Sequence, residues 1–161
     1  MSIVYRLGGP LDAEAASRLA QRAKANWGYP SEWLLIWREA LTIKAEYLER
    51  HWSVVAVDHE ALVGICVLEA HHDKAEIGHL WISPEHQRRG IGRTLIHRAL
   101  RTAQMNGYTQ VRVESDPFAE AFYVRLGARR VGSVSAPMPG MDQRELPVLS
   151  FAGPDDPLGA V

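Results

Sequence analysis

The sequence predicts a mixed α/β domain, a central sheet of about seven strands flanked by about four helices. Three observations predict it. Runs rich in β-branched residues alternate with stretches whose apolar residues recur at helical spacing. Short turns join consecutive strands in the first half, which makes that half antiparallel. One strand–helix–strand unit, from Ala75 to Ser115, needs a crossover and so adds a parallel pair.

The elements follow in order. Ile3–Leu7 reads as a short strand closed by Gly8-Gly9-Pro10. Asp12 is placed to cap a helix in which Ala16, Leu19, Ala20 and Ala23 share a face, ending by Gly28. Ser31 can cap a second helix, with Trp33, Ile36, Trp37, Ala40 and Leu41 as one apolar stripe. A helical turn follows around Lys44–Glu49. Val54–Val57 and Leu62–Leu68 form a hairpin about Asp58-His59-Glu60. The turn His71-His72-Asp73-Lys74 leads to a strand over Ala75–Ser83, stopped by Pro84. Ile91, Leu95, Ile96, Ala99, Leu100 and Ala103 define a helix closed by Asn106-Gly107. Val111–Ser115 is a strand, Ala119–Leu126 a helix ended by Gly127, and Arg129–Val134 and Arg144–Phe151 the last strands. Pro147 cannot donate to a ladder, which places its strand near an edge or bulge. Residues 1–152 read as one domain and 153–161, with two prolines and two aspartates, as a flexible tail.

At 161 residues the chain suits one real core and is short for two. Eighteen Lys and Arg against 19 Asp and Glu give a net charge of −1, no electrostatic basis for nucleic acid or an acidic membrane as partner. No apolar run approaches the ~20 residues that span a bilayer. The N-terminus lacks the charged-then-apolar shape of a signal peptide, so a cytoplasmic protein is expected. Cys66, the one cysteine, lies in an apolar run and reads as a small core residue. The seven histidines show no zinc-binding spacing, and no metal is expected.

The most informative segment is Leu80-Trp81-Ile82-Ser83-Pro84-Glu85-His86-Gln87-Arg88-Arg89-Gly90-Ile91-Gly92-Arg93-Thr94-Leu95. A strand ends, a turn follows, and a helix opens on two glycines. Glycine lets backbone amides approach a bulky anion, and a helix start offers unpaired N–H groups at the positive end of its dipole. Together they make a pyrophosphate site. Between Glu85 and Glu114 there is no acidic residue but six arginines, a local excess that favours a phosphorylated ligand. Gly90 and Gly92 could otherwise serve only a tight turn, with the arginines coating a helix. A dinucleotide site is disfavoured because the third glycine position holds Leu95, and a Walker loop is excluded because its Gly-Lys-Ser/Thr ending is missing.

Gln87-Arg88-Arg89-Gly90-Ile91-Gly92 is similar to the Gln/Arg-x-x-Gly-x-Gly/Ala signature of the GNAT superfamily of acyl-CoA-dependent N-acetyltransferases. Leu80-Trp81-Ile82-Ser83-Pro84 resembles that family's fourth strand. Asp116-Pro117-Phe118-Ala119-Glu120-Ala121-Phe122-Tyr123-Val124-Arg125-Leu126-Gly127-Ala128 resembles its Ala-x-x-x-Tyr helix ending in Leu-Gly. The resemblance extends, more loosely, over residues 3–151. It implies a sheet splayed between strands 4 and 5, acetyl-CoA as co-substrate, and acetyl transfer to a primary amine of a small molecule or peptide. It further implies that Gln87, Arg88, Arg89, Gly90, Ile91, Gly92, Arg93 and Thr94 hold the pyrophosphate, and that Leu80, Trp81 and Ile82 line the pantetheine arm. The family often has asparagine where this chain has Asp116; an ionised aspartate cannot donate that hydrogen bond, so the contact is not carried over. A non-catalytic acyl-CoA-binding or regulatory domain is the alternative.

Acetyl transfer to an amine needs a group to remove the ammonium proton, since without it the nitrogen has no lone pair. Glu76 is the candidate base: it lies eleven residues before Gln87, a spacing at which the resemblance places a glutamate or histidine in a number of GNAT enzymes. A strand-end carboxylate paired with Lys74 or an arginine is the other reading. His79, on the opposite face with Ile77 and Trp81, is a base or substrate contact of lower rank, with Glu69 and Glu114 behind it. Tyr123 is the candidate partner of the departing thiolate, as the resemblance places it, or else an aromatic packed beside Phe122 and Leu126. In Lys24-Ala25-Asn26-Trp27-Gly28-Tyr29-Pro30, Trp27 and Tyr29 flank a glycine in a connecting loop and suit an aromatic wall for the acceptor. Trp33 and Trp37 read as core. The edge strand at Leu146–Phe151 permits a homodimer.

Overall fold

Two-residue turns shape the first half of the sheet. His59-Glu60 and His72-Asp73 close consecutive hairpins, and His59 and His72 take positive φ values of 55° and 56°, as tight turns of this length require of a leading residue. The computed structural model describes residues 2–152. The tail expected at 153–161 lies outside the described residues.

The strands are β1 (Val4–Leu7), β2 (Trp52–Asp58), β3 (Ala61–His71), β4 (Lys74–Ile82), β5 (Gln110–Glu114), β6 (Arg129–Ser135) and β7 (Glu145–Ala152). The helices are α1 (Ala13–Ala25), α2 (Ser31–Ile36), α3 (Ala45–Arg50), α4 (Ile91–Met105) and α5 (Glu120–Arg125). The seven strands run in the order β1-β2-β3-β4-β5-β7-β6. The mixed α/β class is thus as expected, including the crossover: β4 pairs parallel with β5 through Ala75↔Val111 and Glu76↔Arg112. Two compact units are distinguished, the chain up to Glu69 with Gly78–Ala99, and Ala70–Ile77 with the chain from Leu100.

In the first unit, β1, β2 and β3 are antiparallel, with Val4↔Val57 and Trp52↔Leu68 fixing the register. Alternation sends Val55, Ile65 and Val67 to one face, where they pack with Ala16, Leu19 and Ala20 of α1 and with Leu41, Ile43 and Leu48. Burying each such Leu, Ile or Val contributes about 1.5–3 kcal/mol. Against the other face, a Cβ added at Gly64 would stand 3.0 Å from Ile91 Cγ2 and 3.1 Å from Leu95 Cδ1. Only a bare backbone lets α4 sit this close to β3. The α4 stripe matches its sequence pattern, with Ile91, Leu95, Ile96, Ala99 and Ala103 all at most 1 % exposed. Cys66 is fully buried in the core, and burial pushes its thiol up to about 12.

One expectation in this unit holds in position but not in bonding, and another needs correction. Asp12 occupies the N-cap of α1 but makes no cap bond; Arg6 Nη2 and Nη1 donate to its two carboxylate oxygens at 2.8 and 3.0 Å, and the Gly9 N–H donates at 3.0 Å. The second helix is shorter than its stripe. It ends at Ile36, Pro30 rather than Ser31 is its N-cap, and the chain continues to Leu41 in turns. There the pattern mixes i−3 bonds (Arg38 N–H to Leu35, 3.3 Å) with i−4 bonds (Leu41 N–H to Trp37, 2.9 Å). Trp33 and Leu41 are buried, as the stripe predicts, but Ile36 is 54 % exposed and Ala40 is exposed.

In the second unit β7 lies between β5 and β6, antiparallel to both. This corrects the expectation of an edge at Leu146–Phe151; the outer strand is β6. Pro147 is tolerated inside the sheet because its carbonyl accepts the Ser115 N–H at 2.9 Å, one residue beyond the end of β5. In an antiparallel strand a residue's N–H and C=O point to the same neighbour. The missing N–H therefore falls where β5 has already ended.

Candidate functional site

The connection after β4 is anchored from below. Ser83 is 2 % exposed, and its N–H reaches Val63 O at 2.8 Å. Its hydroxyl donates to Glu85 Oε2 at 2.6 Å and accepts from Arg22 Nη2 at 3.1 Å. His86 spans from Ser83 Oγ (3.2 Å to Nδ1) to Asp58 Oδ2 (2.9 Å to Nε2). The His86 ring holds the Asp58 carboxyl below its ordinary range. Sequence reasoning missed this lattice, because Asp58 and Arg22 come from distant parts of the chain.

Above the anchor, Gln87, Arg88, Arg89 and Gly90 are all exposed. Arg88 has φ 64° and Gly90 φ 79°. Left-handed backbone is unfavourable for an arginine, by roughly 1–2 kcal/mol, and such outliers gather where a loop has a task. Alternating left- and right-handed residues turn successive N–H groups to one side, the concavity that holds anions. A Cβ at Gly90 would meet nothing within 4 Å. The first α4 bond runs from the Thr94 N–H to Gly90 O at 3.1 Å, reinforced by the Thr94 hydroxyl at 3.0 Å. The amides of Ile91, Gly92 and Arg93 thus belong to the first turn, whose N–H groups have no partner within the helix. An exposed, basic turn with first-turn amides is the kind of element that suits an anion.

Leu80, Trp81 and Ile82 form the end of β4, each half-buried. Trp81 packs on the α1-side core and its Nε1–H donates to His79 Nδ1 at 2.9 Å. The alternation expected along β4 does not persist past Gly78. The place of a Gly78 Cβ is taken by the Tyr47 hydroxyl and the Glu69 carboxylate, and the His79 ring also meets Tyr47, edge-on with centroids 5.6 Å apart. Burial lowers the His79 pKa, more than the nearby Glu69 charge raises it. Of the expected acceptor residues, Trp27 and His79 both meet Trp81, at 6.3 and 6.2 Å between centroids. Tyr29 turns instead to Trp33 and Trp37, at 5.7 and 4.9 Å. The Lys24 ammonium lies over Trp27, Tyr29 and Trp37 at 5.6, 5.3 and 4.2 Å.

In the second unit Arg112 Nη1 donates to Glu76 Oε1 at 3.0 Å and Nη2 to Glu114 Oε1 at 3.2 Å. Glu76 is therefore a carboxylate paired with an arginine. Tyr123 of α5 is 5 % exposed, with Phe122 and Phe151 edge-on at 5.2 and 6.2 Å. Asp116 accepts the Phe118 N–H at 2.9 Å and faces the buried Arg144, 3.9 Å away. Its carboxylate thus serves a turn and an internal cation. Among the described residues no group of three or more His, Cys, Asp or Glu is arranged to hold a metal, and no helix is long and apolar enough to cross a membrane.

A seven-stranded mixed sheet with a basic glycine turn opening a helix after β4 defines a class, and comparison with known proteins agrees. Residues 36–136 match the family described as Acetyltransferase (GNAT) domain. This chain belongs to the GNAT acetyltransferase family. N-acetyltransferase family 8 member 3 of Rattus norvegicus is 32 % identical over 101 residues, 56 % of this chain and 44 % of that protein. The match thus spans less than half the length of that relative. Among solved structures, PaiA N-acetyltransferase of Thermoplasma acidophilum, crystallised with coenzyme A, superimposes with a TM-score of 0.74 at 21 % identity, covering 94 % of this chain and 99 % of that one. A structure described as a GCN5-related N-acetyltransferase, of Rhodopseudomonas palustris, gives 0.78 at 18 % identity, covering 94 % of this chain and 96 % of that one. At these identities the likeness is one of fold.

Proposed function

We propose that this chain moves an acetyl group from acetyl-CoA to a primary amine of a small molecule or peptide by direct attack of the nitrogen. The observation that carries this reading is the open, left-handed Gly90 beside left-handed Arg88 at the start of α4. In this reading the backbone amides of Arg88 to Arg93 hold the diphosphate of coenzyme A, with Gln87 and Thr94 at the ends of the cradle. The strand end Leu80–Ile82 lines the pantetheine arm. Tyr123 is the hydroxyl that stabilises the departing thiolate; a CoA thiol is more acidic than a phenol, so a hydrogen bond suffices. A carboxylate on the sheet takes the ammonium proton. The family resemblance names Glu76 for that role, and in the structure Arg112 pairs with it. The chemistry takes place without a metal, and the amine is the partner.

The test is calorimetric titration of acetyl-CoA into the protein, followed by release of CoA with a panel of amines. Binding together with amine-dependent release is the expected result. Binding without release by any amine would leave a non-catalytic acyl-CoA-binding domain, and a flat titration would end both.

A further inference from the structure

Within the first unit, the turn that precedes the loop at residues 87–94 is held by a set of side-chain bonds whose protons can be counted. Ser83 is buried, and its hydroxyl has one proton to give and two lone pairs. The proton goes to Glu85 Oε2, 2.6 Å away, because an ionised carboxylate can only accept. The lone pairs face Arg22 Nη2 at 3.1 Å and His86 Nδ1 at 3.2 Å. On its other side the His86 ring places Nε2 2.9 Å from Asp58 Oδ2. Both carboxyls are held below their ordinary range, Glu85 first by the Ser83 hydroxyl and Asp58 first by His86. Three close contacts therefore lead from Glu85 through Ser83 and His86 to Asp58, and a neutral ring leaves protons for only two of them. A ring carrying a proton on each nitrogen donates to both Ser83 and Asp58 and completes the set. It also balances the charge, Arg22 and His86 against Glu85 and Asp58.

We propose that His86, protonated at both ring nitrogens between Asp58 and Ser83, is the positioning residue of the diphosphate loop, and that acetyl-CoA affinity falls when the ring loses its second proton. The proposal rests on the reading that this loop holds coenzyme A, and deepens it by naming what sets the loop's shape. His86 is fixed at three points, its N–H on Ser83 O at 2.9 Å and its ring at either end. Those points lead to separate elements. The Ser83 N–H is bonded to Val63 O of β3, Asp58 is the last residue of β2, and Arg22 belongs to α1. Gln87 follows in extended backbone, φ −66° and ψ 155°, and Arg88 then takes φ 64°. A left-handed arginine persists only where its surroundings fix it, and the anchored ring lies two residues before it. The side chains of His86 and Asp58 are only 17 % and 14 % exposed, so water is a poor substitute for a bond lost there. The charged groups about the pair are Glu85 beside the ring, Arg22 across Ser83, and, acting on Asp58, His59 at 3.9 Å and Arg89.

The experiment measures acetyl-CoA affinity by calorimetry from about pH 5 to about pH 8, the span in which histidine charge ordinarily changes. The proteins are wild type, His86→Gln, Asp58→Asn and His59→Asn, with thermal melts on each. Nitrogen NMR of the histidine rings reports the second proton, the His86 signals being those absent from His86→Gln. Wild-type affinity should fall by about tenfold as that proton leaves, and His86→Gln should stay near the lower value throughout. The ligand's own 3′-phosphate ionises at about pH 6, but that change is common to all four proteins and cancels in their ratios. By reciprocity, saturating acetyl-CoA should make the ring keep its second proton to higher pH. Asp58→Asn keeps an oxygen for the ring and removes the facing charge. Its ring should lose the proton at lower pH, with the fall in affinity moving alongside, and this variant carries the test where His86→Gln does not fold. His59→Asn should behave as wild type.

A merely structural His86 would lower the melting temperature and leave the folded protein's affinity at the wild-type value at every pH. That result, a ring with a single proton across the whole range, or a pH dependence lost in His59→Asn and kept in His86→Gln would overturn the proposal and leave the acetyltransferase reading standing. A wild type that binds no acetyl-CoA at any pH would overturn both.

Discussion

The loop at residues 87–94 and the side-chain cluster of Trp81, His79, Tyr47 and Glu69 are built in opposite ways. The loop presents peptide N–H groups, and its arginine side chains are exposed. The cluster presents side chains, and the backbone behind it supplies only room, at Gly78. The first should be sensitive to an added Cβ and tolerant of changed charge. The second should be tolerant of neither changed charge nor changed shape.

The largest expected effect breaks that contrast at its strongest point. Gly90→Leu forces a side chain onto φ 79° and into the open space beside the amides of the loop. It should weaken acetyl-CoA binding by more than about 100-fold, with little change in circular dichroism. Arg88→Ala or Arg93→Ala should each cost less than about tenfold, the order expected of an exposed charge. Equal losses in calorimetry would mean that side chains, not amides, hold the ligand. Next in size is Tyr123→Phe. If the hydroxyl assists the thiolate, kcat falls by at least about tenfold, while the melting temperature of this buried residue barely moves. A lower melting temperature with normal kcat per folded molecule would make Tyr123 purely a packing residue.

Gly64→Ala tests the support of the loop rather than the loop. The new methyl would press on Ile91, Leu95 and Ala56 at 3.0–3.3 Å. A loss of about 1–3 kcal/mol in denaturant unfolding is expected, as for other overpacked cores, with a weakened acetyl-CoA affinity because Ile91 is itself part of the cradle. The smallest effects are acid-dependent. His79 has a lowered pKa, so the unfolded chain binds its proton first as pH falls below the ordinary value of 6.5. Stability should therefore decline from there downward, and His79→Asn should remove that phase from a plot of melting temperature against pH. A second decline belongs to Asp12 and Asp58, whose folded values lie below the ordinary 3.8. Their stabilisation is present above that pH and is lost as pH falls through the lowered values. With Arg6 half exposed, the Asp12 share is at most about 1 kcal/mol.

The same contrast explains what was legible in the sequence. Gly90, Gly92 and the α4 stripe are neighbours along the chain, so a local pattern reports them and the fold preserves it. The hairpin turns and the parallel pairing of β4 with β5 were legible for the same reason, one turn or one crossover at a time. Tyr47, Glu69 and His79 meet only because α3, β3 and β4 fold together, and no spacing announces that. Gly78 was the available hint, since an isolated glycine within a strand marks a close approach. The stripe from Trp33 to Leu41 misled because periodicity records which residues are apolar, not how far the helix continues. Pro147 misled because proline can also lie inside a sheet where its neighbour has stopped.

The position of β6 at the end of the strand order has a consequence for self-association. Its rim carries Arg129 and Arg130, both exposed, and the register slips between Arg130 and Gly132. A kinked border bearing charged side chains is a poor template for a strand from another molecule, as charge and bulges at a sheet margin disfavour fibrillar growth. If two copies pair, they should do so through a surface other than this one.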